Sequence, residues 1–99
     1  MPMLEELQAE LDALLADAQA AYAAAVASNP PNPVPAICPI KPFPPGATKE
    51  QKIAALHCAI EMVQRYLECI NGDPQNWATC VSQTCADFAT CWNLAFGIT

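Results

Sequence analysis

The side chains with the widest chemical repertoire in this chain are six cysteines, Cys38, Cys58, Cys69, Cys80, Cys85 and Cys91, and one histidine, His57. Thiols at that density admit three chemistries: nucleophilic or redox catalysis, metal binding, and cross-linking. Catalysis needs a thiolate, its pKa lowered by a neighbouring cation or a Cys-x-x-Cys partner. The chain contains no Cys-x-x-Cys. His57 falls on the polar side of its helix, one turn from Glu61 in an i,i+4 pair, while Cys58 points round towards another helix. Four thiolates gathered between helices could hold Zn²⁺ or Cu⁺. The four regularly spaced cysteines, however, fall into two pairs about 16 Å apart along a helix, too far to share one ion. Cross-linking is the chemistry the pattern predicts. The chain is accordingly expected to have no enzymatic activity, no catalytic residue, no cofactor and no metal.

The remaining polar and aromatic clusters have plain structural explanations. Glu5, Glu6, Glu10, Asp12 and Asp17 lack the loop geometry of a calcium site and form a solvated helix face. Trp77, Phe88, Trp92 and Phe96 recur at helical spacing and belong to a core. A pocket for a small apolar ligand between helices and the proline-rich segment is the functional counterpart of that core. Phe96 and Ile98, and the alanine face of the first helix, are surfaces for a protein partner or for a homo-oligomer. Charge narrows the choice of partner. The chain carries a net −6, with only four Lys or Arg and none before Lys41. That argues against nucleic acid, whose backbone requires clustered positive charge, and against an anionic membrane surface. No apolar run reaches the roughly 18 to 20 residues of a membrane span. The stretch MPMLEELQAE lacks the basic start and apolar run of a secretory signal.

Three helices must position these residues. The first covers residues 3–27: Leu4, Leu7, Leu11, Leu14, Ala18, Ala21 and Ala25 keep a 3-4 repeat, widened by Leu15, Tyr22 and Val26. Pro2 suits its first turn, Glu5 and Glu6 favour the positive end of its dipole, and Asn29-Pro30 ends it. The second covers 49–71 within Thr48 to Gly72 and has two apolar stripes. Ile53, Leu56, Ile60, Val63, Leu67 and Ile70 are expected to face the first helix. Ala55, Cys58, Ala59, Met62, Tyr66 and Cys69 are expected to face the third. Thr-Lys-Glu-Gln at 48–51 is a capping box, and Asn71-Gly72 supplies residues that tolerate a left-handed C-terminal position. Asp73-Pro74 then opens a third helix over 74–95, and so short a turn makes the last two antiparallel. Its inward arc holds Trp77, Cys80, Val81, Thr84, Phe88, Cys91, Trp92 and Ala95, and Gly97-Ile98-Thr99 is a tail.

Between the first two helices, residues 29–47 read NPPNPVPAICPIKPFPPGA, with eight prolines. Proline fixes φ and removes the amide donor, so polyproline II or irregular extended chain is expected. A free linker or a peptide for proline-recognition domains would be polar. Val34, Ile37, Cys38, Ile40 and Phe43 instead predict a strap laid over the helices.

The helices also dictate the cross-links. Cys58, Cys69, Cys80 and Cys91 are each eleven residues apart, about three helical turns, so each helix carries two cysteines on one face. In an antiparallel hairpin, opposed residues have a constant sum of positions. Cys58 with Cys91 and Cys69 with Cys80 satisfy one register. The crossed pairs would be displaced by roughly 16 Å, beyond disulfide reach. Cys85 projects about 120 to 140° away from those rungs, which leaves Cys38 of the strap as its partner.

Two antiparallel helices stapled outer-to-outer and inner-to-inner resemble the twin Cys-x9-Cys, coiled-coil-helix–coiled-coil-helix, proteins of the mitochondrial intermembrane space. The resemblance covers residues 53–97 through Cys58-x10-Cys69 and Cys80-x10-Cys91. Each spacing is one residue longer, and Cys85 interrupts the second motif. It implies a shared way of stapling a hairpin and, through the family, the intermembrane space; six cysteines in a natural chain of this length imply an oxidising compartment, secreted or intermembrane. Over the whole chain, near-ideal repeats, a cap at each helix start and an alanine-filled first helix resemble a computationally designed, de novo protein. The expectation is a single all-α domain over 1–99, three helices and a proline-rich strap held by three disulfides. It would serve as a scaffold, or as a natural cysteine-rich module binding a protein or small apolar ligand.

Overall fold

The computed structural model describes residues 3–98. Three helices form: α1 (Met3–Ala27), α2 (Lys49–Ile70) and α3 (Trp77–Ala95). Pro2, assigned above to the first turn of α1, lies outside the described residues, as does Thr99. Both α1 and α3 pack on α2, whose Ala55, Ala59 and Val63 are fully enclosed. Extents of 44 × 30 × 18 Å describe a slab, because α1 and α3 each pack on α2 and scarcely touch each other. The helices therefore lie side by side with α2 as the middle plank, rather than closing into a round bundle.

The caps agree with the sequence at the starts of helices and depart from it at the ends. Thr48 Oγ1 accepts from the Gln51 amide at 3.1 Å, and Gln51 Oε1 accepts from the Thr48 amide at 2.9 Å, a complete capping box. Asp73 Oδ1 accepts from the Gln75 amide at 3.0 Å, but Pro74–Asn76 is a 3₁₀ turn and α3 proper starts at Trp77. The tighter turn lets the chain reverse immediately after α2. Asn71 is right-handed, with φ −81°, and Gly72 is not left-handed either, contrary to the expectation for this corner. A Cβ on Gly72 would sit 3.4 Å from the Cys69 carbonyl oxygen, an ordinary van der Waals contact that this corner tolerates. The left-handed end belongs to α3. Gly97 has φ 69°, its amide donates to Leu94, and the Ile98 amide donates to the Asn93 carbonyl at 2.8 Å. That is a Schellman closure in what the sequence suggested was a plain tail.

The strap has a directed course. Asn32 Nδ2 donates to the Pro74 carbonyl beyond the end of α2, and Tyr66 Oη donates to the Pro35 carbonyl at 2.8 Å. Cys38 is bonded to Cys85, and Phe43 stacks on Trp92 with centroids 6.0 Å apart and planes 9° from parallel. The anchors advance from Pro74 at the hairpin corner, past Tyr66 of α2, to Cys85 and then Trp92 in the last turn of α3. The strap thus carries the chain back along the whole length of the α2–α3 hairpin, from the end of α1 to the start of α2. Its burial repeats every three residues: Val34, Ile37, Ile40 and Phe43 are half-buried, whereas Pro33, Ala36, Pro39, Pro42 and Pro45 are exposed. Three residues is the turn of a polyproline II helix. Five of the eight prolines, Pro31, Pro33, Pro39, Pro42 and Pro45, lie on the exposed edge where a missing amide costs nothing, Pro30, Pro35 and Pro44 are half-buried, and the aliphatic edge is turned onto the helices.

Candidate functional site

The six cysteines form three disulfides, Cys58–Cys91, Cys69–Cys80 and Cys38–Cys85, the first two as the eleven-residue register predicts and the third as the pair that remains. Their Cα atoms are 5.8, 5.7 and 5.5 Å apart, the separation at which two Cβ atoms face each other without backbone movement. The first two are rungs between α2 and α3, and the third ties the strap to α3. Between the rungs, Thr84 is buried, donates to the Cys80 carbonyl at 2.8 Å and touches Cys69 Sγ at 3.7 Å. Over the outer edge of the same interface Arg65 meets Asp87 at 2.9 Å. The hydrogen bonds from Arg65 and Gln83 hold the Asp87 carboxyl below its ordinary value.

The other sequence candidates do not converge. His57 and Glu61 are both exposed, and among the described residues Arg65–Asp87 is the one ion pair, so the expected His57–Glu61 pair is not made. Glu5, Glu6, Glu10, Asp12 and Asp17 are exposed along α1. Among the described residues no three His, Cys, Asp or Glu side chains stand close enough to share a metal ion, and no helix is long and apolar enough to cross a membrane. Trp77, Phe88 and Trp92 are buried. Trp77 Nε1 donates to the Ile70 carbonyl at 3.1 Å, which closes the α2–α3 corner. Phe96 packs edge-on against Trp92 at 5.2 Å, leaving Leu94 and Ile98 as the exposed apolar residues of this end.

Two clefts border the strap. One, of about 200 Å³, lies beside the Cys38–Cys85 bond between Lys41, Phe88 and Trp92. The other is an open groove of about 560 Å³ between the C-terminal half of α1 and the strap. Ala18, Tyr22, Ala23 and Val26 form one wall, Ala36 and Ile37 the other, and Tyr66 reaches it from α2. Tyr66 is therefore misplaced by the stripe reading, which turned it towards α3. Its ring lies at the edge of the cysteine stripe and is long enough to pass under the strap to α1. Burial, with Tyr22 nearby, raises the Tyr66 phenol above its ordinary pKa, and its proton is held on the Pro35 carbonyl. The sequence signal for this groove was faint: the chain's only two tyrosines, an alanine run and a proline segment, all meeting in space.

Compared with protein-family models, curated proteins and solved structures, the chain matches none. The protein is a small, disulfide-stapled, three-helix domain.

Proposed function

We propose that the chain is a non-enzymatic scaffold, a helical domain whose shape is set by disulfide staples and whose role is to present surface. The observation that supports this is the use of the cysteines. Each bond joins two different elements, α2 to α3 twice and the strap to α3 once, and a thiol in a disulfide is neither nucleophile nor metal ligand. A de novo origin is supported by the agreement of local signals: a complete capping box at Thr48 and Gln51, an Asp-Pro start after the corner, and near-ideal repeats. The test is peptide mapping without reduction, together with thermal unfolding and an insulin-reduction assay. The expected result is the three pairs above, a melting temperature that falls strongly in reductant, and no acceleration of insulin reduction. Catalysed insulin reduction would refute the non-enzymatic reading, and an unchanged melting temperature in reductant would refute the staples. A natural gene encoding a close homologue would refute the designed origin.

The groove beside the strap favours a second reading, in which the chain is a natural cysteine-rich helical module of an oxidising compartment that binds an apolar ligand. Its volume, about 560 Å³, lies within the roughly 300 to 1,000 Å³ of small-molecule sites.

A further inference from the structure

Resting on that second reading, we infer that the groove between α1 and the strap binds a neutral, apolar small molecule. Four features of the groove specify the ligand. The first is charge. No Asp, Glu, Lys, Arg or His lines the groove, and the chain as a whole carries −6. An anionic ligand would find no counter-charge and would meet long-range repulsion, and a cationic head would find no carboxylate in the walls. The second is polarity. Tyr66, the buried hydroxyl of the groove, already donates to the Pro35 carbonyl at 2.8 Å, so it asks nothing of a ligand. Tyr22 and Gln19 are the polar side chains left to orient one.

The third is size. Four of the nine lining residues are alanine, and Val26 is the large hydrophobic side chain the walls leave exposed. A protein partner, or a second copy of this chain, would bury far less here than the roughly 800 Å² per side of a stable interface. A compact molecule fills the concavity without needing that area. The fourth is construction. The wall segment Ala36–Ile37 is fixed on both flanks, by the Tyr66 bond to Pro35 and by the Cys38–Cys85 disulfide. It is therefore held in place before a ligand arrives, which lowers the cost of binding. The opposite wall, α1, carries no cross-link and can adjust.

The experiment titrates the full chain with N-phenyl-1-naphthylamine, a neutral apolar fluorophore, and with anilinonaphthalene sulfonate, its anionic counterpart. The wild type, Ala23→Trp, Ala36→Trp and a control, Ala86→Trp on the outer face of α3, are compared, each checked by circular dichroism. Ala23, Ala36 and Ala86 are exposed, so the added rings fill space without entering the core. The expected result is saturable one-to-one binding of the neutral probe, weakened about tenfold or more by either groove variant, untouched by Ala86→Trp, and stronger than binding of the anion. Saturable binding that both groove variants retain would overturn this site while leaving the binding-module reading in place. No saturable binding of either probe would overturn both. Tighter binding of the anion would overturn the assigned ligand class, and a dimer abolished by Ala23→Trp would assign the groove to a second copy instead.

Discussion

Removing the strap staple alone, with Cys38→Ala and Cys85→Ala together, separates the contribution of the cross-link from that of packing. Cys38 and Cys85 are 47 residues apart, but the Cys58–Cys91 rung shortens the ring that their bond closes. Twenty residues run from Cys38 to Cys58 and six from Cys85 to Cys91. In the chain-entropy treatment, a ring of about 26 residues is worth about 3.5 kcal/mol, whereas the eleven-residue ring of Cys69–Cys80 is worth about 2.8 kcal/mol. Cys38 is also only 3% exposed, so truncating it leaves a small void costing about 1 kcal/mol more. The Tyr66–Pro35 bond and the Phe43–Trp92 stack survive, and the two hairpin rungs keep α2 and α3 in register. The double variant should therefore fold but lose about 3 to 5 kcal/mol. In a domain of this size that is a fall in Tm of about 15 to 25 °C. Urea denaturation measures the loss as the fall in extrapolated unfolding free energy, with a steeper slope expected because the unfolded chain is no longer cross-linked there. A loss below about 1 kcal/mol would refute the argument, since it would show that proline stiffness and packing alone order the strap.

Other perturbations probe single contacts. Tyr66→Phe removes the proton donated to Pro35 and should cost about 1 kcal/mol, with faster amide exchange at Ala36 and Ile37. Because the folded-state pKa of Tyr66 is raised from 10.0, its contribution is fully present below pH 10 and is lost as pH climbs through the folded value. Wild type should therefore lose stability faster than Tyr66→Phe above about pH 10, and parallel profiles would count against a buried, bonded phenol. Thr48→Ala breaks the capping box and should lower stability by about 1 kcal/mol, read as a shift in the thermal midpoint. Asp87 is depressed by Arg65 and Gln83, so what it contributes is present above the ordinary carboxylate range and disappears as pH falls through its lowered folded value. Carbonyl NMR titration should show that depression relaxing in Arg65→Gln, with little change in overall stability because the pair is exposed.

What could be read from the sequence was whatever a repeat or a short-range rule determines. The disulfide pairing was legible because the interval Cys58, Cys69, Cys80, Cys91 keeps a constant face on each helix, and because Asp73-Pro74 leaves no room for any arrangement but an antiparallel one. The Thr48 cap was legible because its partner lies three residues away. Tyr66 was not, since angular position on a helical wheel says nothing of how far a long side chain reaches, and the strap that receives its proton is 31 residues distant. The ends of α2 and α3 were exchanged for a similar reason. Asn71-Gly72 and Gly97-Ile98 look equally able to adopt a left-handed turn, but Asn71 stays right-handed ahead of the 3₁₀ turn at Pro74–Asn76, whereas α3 ends in Gly97 with φ 69°.

The two neighbours of α2 are held by different physics, and the consequence falls on the groove. Against α3, α2 is fixed by two covalent rungs, whereas against α1 it has packing alone. That packing is uneven. Leu7 and Leu11 are buried in the first half of α1, with Leu4, Leu14 and Leu15 partly so, but in the second half Ala18 is the only buried residue and Ala21 and Ala25 add little. At about 0.8 kcal/mol per buried methylene, most of the attachment lies before Ala16, and the segment from Gln19 to Ala27 persists through the helix propensity of alanine. Amide exchange should divide α1 accordingly, with protection in 7–15 near that of α2 and protection in 19–27 lower by about tenfold or more. Uniform protection along α1 would show that the alanine half is held as firmly as the leucine half, and the groove would then have two rigid walls instead of one fixed wall and one that adapts.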